Sequence, residues 1–159
     1  MNERKNSIII VDDDESIRKT LAAILEQEGY DVETAGDGAK AILKSNEKLF
    51  DIALVDMRLP DMLGTELLGR IKERVPKTAK IMVTGYPTMQ NAIQAVNEGA
   101  DGYIVKPVEA DVLLETIRKH LKRREEAAKY SEGKVVDFLE TRKKELALKA
   151  AADRAAEKS

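Results

Sequence analysis

Ile8-Ile9-Ile10-Val11-Asp12-Asp13 and its echo Ile52-Ala53-Leu54-Val55-Asp56 decide how this chain is read. Each is a short, wholly apolar run that halts on an acid. A strand apolar on both sides must be covered on both sides, as strands of parallel sheets are. Two later runs behave alike: Lys80 to Val83 ends at Thr84, and Tyr103-Ile104-Val105 ends at Lys106-Pro107. Asp31 to Ala35 reads as a weaker strand.

Helical spacing fills the gaps. Ile17, Leu21, Ile24 and Leu25 share a face, and Gly29 closes that helix. Asp37-Gly38 opens a helix carrying Ala41, Ile42 and Leu49. A third helix from about Thr65 buries Leu67, Leu68 and Ile71 and ends before Pro76. Pro87 marks the start of a fourth, with Ile93 and Val96 as its buried face before Gly99. A last helix carries Val112, Leu113, Ile117 and Leu121. Five strand–helix units of this kind predict an α/β fold, a doubly wound parallel sheet with helices on both faces.

Composition sets bounds. The 159 residues suffice for one domain plus an extension, and 43% hydrophobic residues suit a globular chain. Net charge is −2, with no global field suited to nucleic acid or an acidic membrane. From Leu121 onward there are 11 Lys+Arg against 8 Asp+Glu, so a mildly basic tail follows an acidic front. The absence of Cys excludes disulfides and thiolate metal sites. No apolar run approaches the ~20 residues of a membrane span, and Ile8 to Val11 is too short for a signal sequence. The expected location is the cytoplasm.

In open parallel sheets, binding groups gather at the carboxyl ends of the strands. Here those ends are Asp12-Asp13, Asp56, Thr84 and Lys106. Taken singly, each has an ordinary role as turn former, cap or solvated charge. Together they are three carboxylates, an ammonium and a hydroxyl. Clustered carboxylates raise one another's pKa unless a cation compensates, and hard oxygen ligands suit Mg²⁺. A divalent ion and an ammonium can neutralise a phosphoryl group in transit. Asp56 stands alone and is the expected nucleophile, whereas Asp12 and Asp13 form a pair suited to holding metal.

Val11-Asp12-Asp13, Val55-Asp56-Met57-Arg58-Leu59-Pro60, Gly64, Val83-Thr84-Gly85 and Tyr103-Ile104-Val105-Lys106-Pro107 resemble the receiver domain of bacterial and archaeal response regulators over residues 6–124. The resemblance implies a flavodoxin-like five-stranded sheet of order 2-1-3-4-5. It implies that Asp56 takes a phosphoryl group from a sensor histidine kinase. It implies Mg²⁺ on Asp12, Asp13, Asp56 and the Arg58 main-chain carbonyl, and Lys106 on the phosphoryl oxygens. Thr84 and Tyr103 would form the switch, acting on the surface of the fourth helix, fifth strand and last helix. Such a chain catalyses only its own phosphorylation and dephosphorylation. The bond before Pro107 is expected to be cis. Residues Thr84 to Pro107 are most similar to receivers of enhancer-binding regulators. Two positions depart from the family pattern. Leu63 stands where a small polar cap is usual, and Asp14 adds a third consecutive acid that either tunes the metal site or caps the first helix. Arg58 and Tyr86 are expected to flank the path of the water that removes the phosphoryl group.

A haloacid-dehalogenase-like phosphatase would instead use Asp12 as nucleophile and Asp14 as acid, leaving Asp56 idle. A phosphorylation-independent interaction module is the other alternative. Residues 125–159 read as a charged helical tail with a break at Ser131-Glu132-Gly133, too short and too uniformly charged for an output domain. Val135, Phe138, Leu139, Arg142 and Leu146 share one face of it. The pattern leaves open a solvated helix, a homodimer contact or a docking helix for a downstream protein. Alternating charge argues against nucleic acid.

Overall fold

The computed structural model describes residues 4–71 and 77–157. Five parallel strands form one sheet: β1 Ser7–Val11, β2 Asp31–Ala35, β3 Ile52–Asp56, β4 Ala79–Thr84 and β5 Gly102–Val105. Their order is β2-β1-β3-β4-β5, as the resemblance implied. The helices between them are α1 Glu15–Gln27, α2 Gly38–Glu47, α3 Gly64–Arg70, α4 Met89–Asn97 and α5 Ala110–Glu157.

Strand alternation splits the apolar side chains into two cores. Ile8, Ile10, Ile52, Leu54, Ile81, Val83 and Ile104 pack with Leu21 and Leu25 of α1 and Leu113 and Ile117 of α5. Ile9, Val11, Ala53, Val55 and Met82 pack with Ala41 of α2, Leu67 and Leu68 of α3 and Ala95 of α4. Each buried Ile or Leu contributes about 1.5–3 kcal/mol. Burial on both faces explains why these strands are apolar throughout, and it leaves the carboxyl edge for polar groups.

The helix boundaries follow local chemistry. Asp14 caps α1, accepting from Ser16 N at 2.9 Å and Ile17 N at 3.2 Å. Gly29, at φ +92°, takes the left-handed position after α1. Leu63 gives α3 no side-chain cap.

Several expectations from the sequence are corrected. Ile93 and Val96 are 53% and 68% exposed. The nine-residue α4 buries only Ala95, whose small side chain lies against the core. Val112 is likewise exposed while Leu113 and Ile117 are fully buried. Leu49 lies beyond the end of α2, and α4 starts two residues after Pro87, with Thr88 as its cap. As expected, α3 ends before Pro76, its last residue being Arg70 with Ile71 as the cap; Met1 to Glu3 fall outside the described residues. No break occurs at Ser131-Glu132-Gly133, because α5 is continuous there. Gly costs a helix about 1 kcal/mol, and the strong helix formers further out on either side, Glu125 to Lys129 and Arg142 to Leu146, outweigh that.

The chain separates after Arg124 into two compact units. In the second, Val135, Phe138, Leu139 and Leu146 are exposed. Among the described residues no helix is long and apolar enough to cross a membrane.

Candidate functional site

Four strand endings deliver the polar groups. Asp12 follows β1, and its N–H continues the ladder to Ala35 O at 3.1 Å. Asp56 closes β3, paired in register with Val83. Thr84 closes β4, and its carbonyl accepts from Lys106 N at 2.8 Å, just past β5. The Lys106-Pro107 bond is cis.

Among the described residues, Asp12, Asp13 and Asp56 each offer a carboxylate oxygen within 4.8 Å of the others. Lys106 Nζ lies 2.9 Å from Asp12 Oδ2 and 3.5 Å from Asp56 Oδ2. Adjacent in sequence, Asp12 and Asp13 differ in setting. Asp12 is buried, with Oδ1 accepting from Asp14 N at 2.9 Å, whereas Asp13 is exposed.

Burial, then the charge of Asp12, raises the Asp56 pKa above the usual carboxylate value, with Lys106 only partly opposing. Burial works against the charge on Lys106. The hydrogen bond that Lys106 donates to Asp12 and the charges of both acids outweigh it and raise the Lys106 pKa. Three carboxylates therefore face one ammonium, and the leftover negative charge is what a small, hard cation would neutralise. Asp14 belongs elsewhere. The Ser16 hydroxyl and the Ile17 N–H hold its carboxyl below the usual value, as befits a cap.

Thr84 is fully buried, and its hydroxyl accepts from Tyr86 N at 3.0 Å. Tyr103 pairs with Met82 and Thr84 with Val105, so the two lie one pleat apart on neighbouring strands. The Tyr103 hydroxyl is buried with no hydrogen-bond partner among the described residues. Arg58 and Tyr86 stack, the guanidinium carbon 4.4 Å from the ring centroid. Sequence reasoning placed both at the site's mouth without foreseeing this contact. It also missed Asp61, whose carboxylate reaches back to α2.

The family model of the response regulator receiver domain matches residues 8–118. The chain belongs to that family. It is a receiver domain of two-component response regulators, and the dehalogenase-like reading is not favoured. The transcriptional regulatory protein ZraR of Klebsiella oxytoca is 36% identical over 121 residues, which are 76% of this chain and 27% of ZraR. The receiver thus spans about a quarter of that relative's length. A CheY-like receiver domain protein from Methanospirillum hungatei JF-1 is 44% identical, with TM-score 0.74 over 78% of this chain and 99% of that one. A response regulator from Burkholderia pseudomallei, solved with a phosphorylated aspartic acid, calcium ion and citrate, is 27% identical. Its TM-score is 0.66 over 77% of this chain and 72% of its own.

Proposed function

We propose that Asp56 accepts a phosphoryl group from the phosphohistidine of a sensor kinase in a Mg²⁺-dependent reaction. One observation carries the reading: half-buried Asp56 shares a 4.8 Å cluster with Asp12 and Asp13, with Lys106 Nζ 3.5 Å from it. The phosphorylated aspartic acid of the Burkholderia relative supports it.

The donor set fits Mg²⁺, being all oxygen and carrying uncompensated negative charge. Asp12, Asp13, Asp56 and the Arg58 main-chain carbonyl would hold the ion. When bound it supplies neutralisation of the charge on the transferring oxygens. A carboxylate oxygen of Asp56 forms the new O–P bond as the P–N bond to the kinase imidazole breaks, the electron pair leaving on nitrogen. Lys106 stabilises the phosphoryl oxygens from its side. The aspartyl phosphate draws the Thr84 hydroxyl toward it, and Tyr103 follows into the space vacated. The unpartnered Tyr103 hydroxyl supports a residue with a second resting position.

Met89, Ile93 and Val96 of α4, Val105 of β5 and Val112 of α5 are exposed apolar side chains. They support this surface as the place where a downstream protein reads the switch. The exposed apolar side chains of the tail support a homodimer contact there, which light scattering before and after phosphorylation reads. A cytoplasmic location, where a kinase meets its receiver, belongs to the same proposal.

The test is intact-mass analysis after incubation with Mg²⁺ and a small acyl phosphate. A phosphoryl adduct on wild type, absent from Asp56→Asn, is the expected result. Turnover of a phosphate ester lost in Asp12→Asn would point to the phosphatase, and no adduct at all to an interaction module.

A further inference from the structure

In the first turn of α2, the N–H groups of Gly38, Ala39 and Lys40 have no carbonyl partner within the helix. Asp37 accepts from Lys40 N. The other two go to a residue from a different loop. Asp61 accepts from Gly38 N through Oδ1 and from Ala39 N through Oδ2, each at 2.9 Å. A carboxylate doubly bonded at a helix N-terminus is a strong, charge-assisted tie.

Asp61 lies at the tip of a small hairpin, residues 57–64. Its base is closed by Gly64 N on the Met57 carbonyl at 2.7 Å and by Leu59 N on the Met62 carbonyl at 3.1 Å. Arg58 is bridged to Leu63 across it. Next to Asp61, Met62 lies so close to Gly38 that a Cβ there would sit 2.4 Å from Met62 Sδ. The hairpin is therefore held at its base, where it leaves β3, and at its tip, on α2. The peptide that carries the Arg58 carbonyl donates its own N–H, that of Leu59, to the carbonyl of Met62, the neighbour of Asp61, so the tie at the tip bears on that peptide through Met62.

We infer that Asp61 is a positioning residue for the phosphoacceptor site: by tying the hairpin tip to α2, it fixes the Arg58 main-chain carbonyl as an oxygen ligand of the cation. The inference rests on the Mg²⁺-dependent reading above and deepens it. A main-chain carbonyl cannot adjust by changing rotamer, so its place depends on the loop that carries it. Asp12, Asp13, Asp56 and Lys106 sit on the strand ends and keep their places without Asp61. Loss of the tie should therefore weaken cation affinity and leave the phosphoryl transfer step itself intact once the cation is saturating.

The experiment titrates Mg²⁺ by calorimetry into wild type, Asp61→Asn and Asp61→Ala. Adduct formation from a small acyl phosphate is followed across Mg²⁺ concentrations in parallel. The dissociation constant and the half-saturating Mg²⁺ concentration should each rise roughly tenfold in Asp61→Ala, the scale for groups that orient metal ligands. The maximal rate at saturating Mg²⁺ should match wild type, and Asp61→Asn, with one acceptor oxygen, should fall between. Should Asp61→Ala not fold, Asp61→Asn carries the same comparison. Lowered stability with wild-type Mg²⁺ affinity would make Asp61 a structural cap only and overturn the inference, while the phosphoacceptor reading stood. If wild type itself bound no Mg²⁺, both would fall together.

Discussion

Gly64→Ala probes the junction that sets the height of Asp56. A Cβ at Gly64 would stand 2.1 Å from the Asp56 carbonyl oxygen and 3.0 Å from both its carbonyl carbon and Met82 Cε. To open the first contact even to 3.0 Å, the α3 start and the β3 end must part by about 0.9 Å. Neither side is the tip of a flexible chain, so the strain falls on backbone. Overpacking of this kind costs about 1–3 kcal/mol. The same movement stretches the 2.7 Å bond from Gly64 N to the Met57 carbonyl, worth about 1 kcal/mol. Against this, Ala restricts the unfolded chain and gains about 0.4–1 kcal/mol. The net loss should be about 1–3 kcal/mol, read as a lower urea midpoint by circular dichroism. Gly69→Ala is the control. Apart from its chain neighbours and the backbone of its own helix, no atom of the described residues lies within 4 Å of a Cβ there, and the position is exposed within α3. It should stabilise by about 0.5–1 kcal/mol. Equal gains from both substitutions would refute the close approach beneath Asp56.

Other expectations follow from the same geometry. Because burial and Asp12 raise the Asp56 pKa, the folded chain holds that proton more tightly than the unfolded chain does. The stability this contributes is present below the unfolded pKa and is lost as pH rises through the folded one. In chelator, Asp56→Asn should exceed wild type in urea midpoint at neutral pH, with the gap closing in acid; a gap that widens in acid contradicts the assignment. Tyr86→Ala removes the partner of Arg58, a contact worth about 0.5–1 kcal/mol when exposed. Loss of phosphate should then quicken roughly two- to fivefold, and equal or slower decay removes the support for Tyr86 as a flank of the water's path. At the opposite sheet edge, buried Asp51 pairs with Arg124 at 2.7 Å and accepts from Ser7 N at 2.8 Å. Asp51 keeps the Ser7 N–H and an ion pair with Arg4 at 3.8 Å, so Arg124→Ala should cost about 1.5–3 kcal/mol, the scale of one charged hydrogen bond, and a thermal melt indistinguishable from wild type would contradict this.

The sheet was legible in the sequence because its strands are buried on both faces and stop abruptly at polar residues. Ile8 to Val11 and Ile52 to Val55 admit few other readings, and strand endings are where such sheets collect chemistry. What stayed hidden depends on packing partners that periodicity cannot see. Ile93 and Val96 have helical spacing, yet the core accepts only Ala95 from α4. Gly133 looked like a break because its local cost is real, and the surrounding helix formers overrode it. Asp12 and Asp13 read as one pair, but neighbours at a strand end face different settings, so one is buried on Lys106 and the other is exposed. Asp61 and Asp51 carried no signal of their own in the sequence. Their partners, the N–H groups of α2 and the guanidinium of Arg124, come from distant stretches of chain that only the fold brings near.

The most direct measurement maps the acceptor residue. Borohydride reduces an aspartyl phosphate to homoserine, and peptide sequencing then gives its position. The account predicts homoserine at position 56 alone, and only when Mg²⁺ and an acyl phosphate donor are both present. Homoserine at position 12 or 13, or its appearance at 56 without a divalent cation, would contradict it.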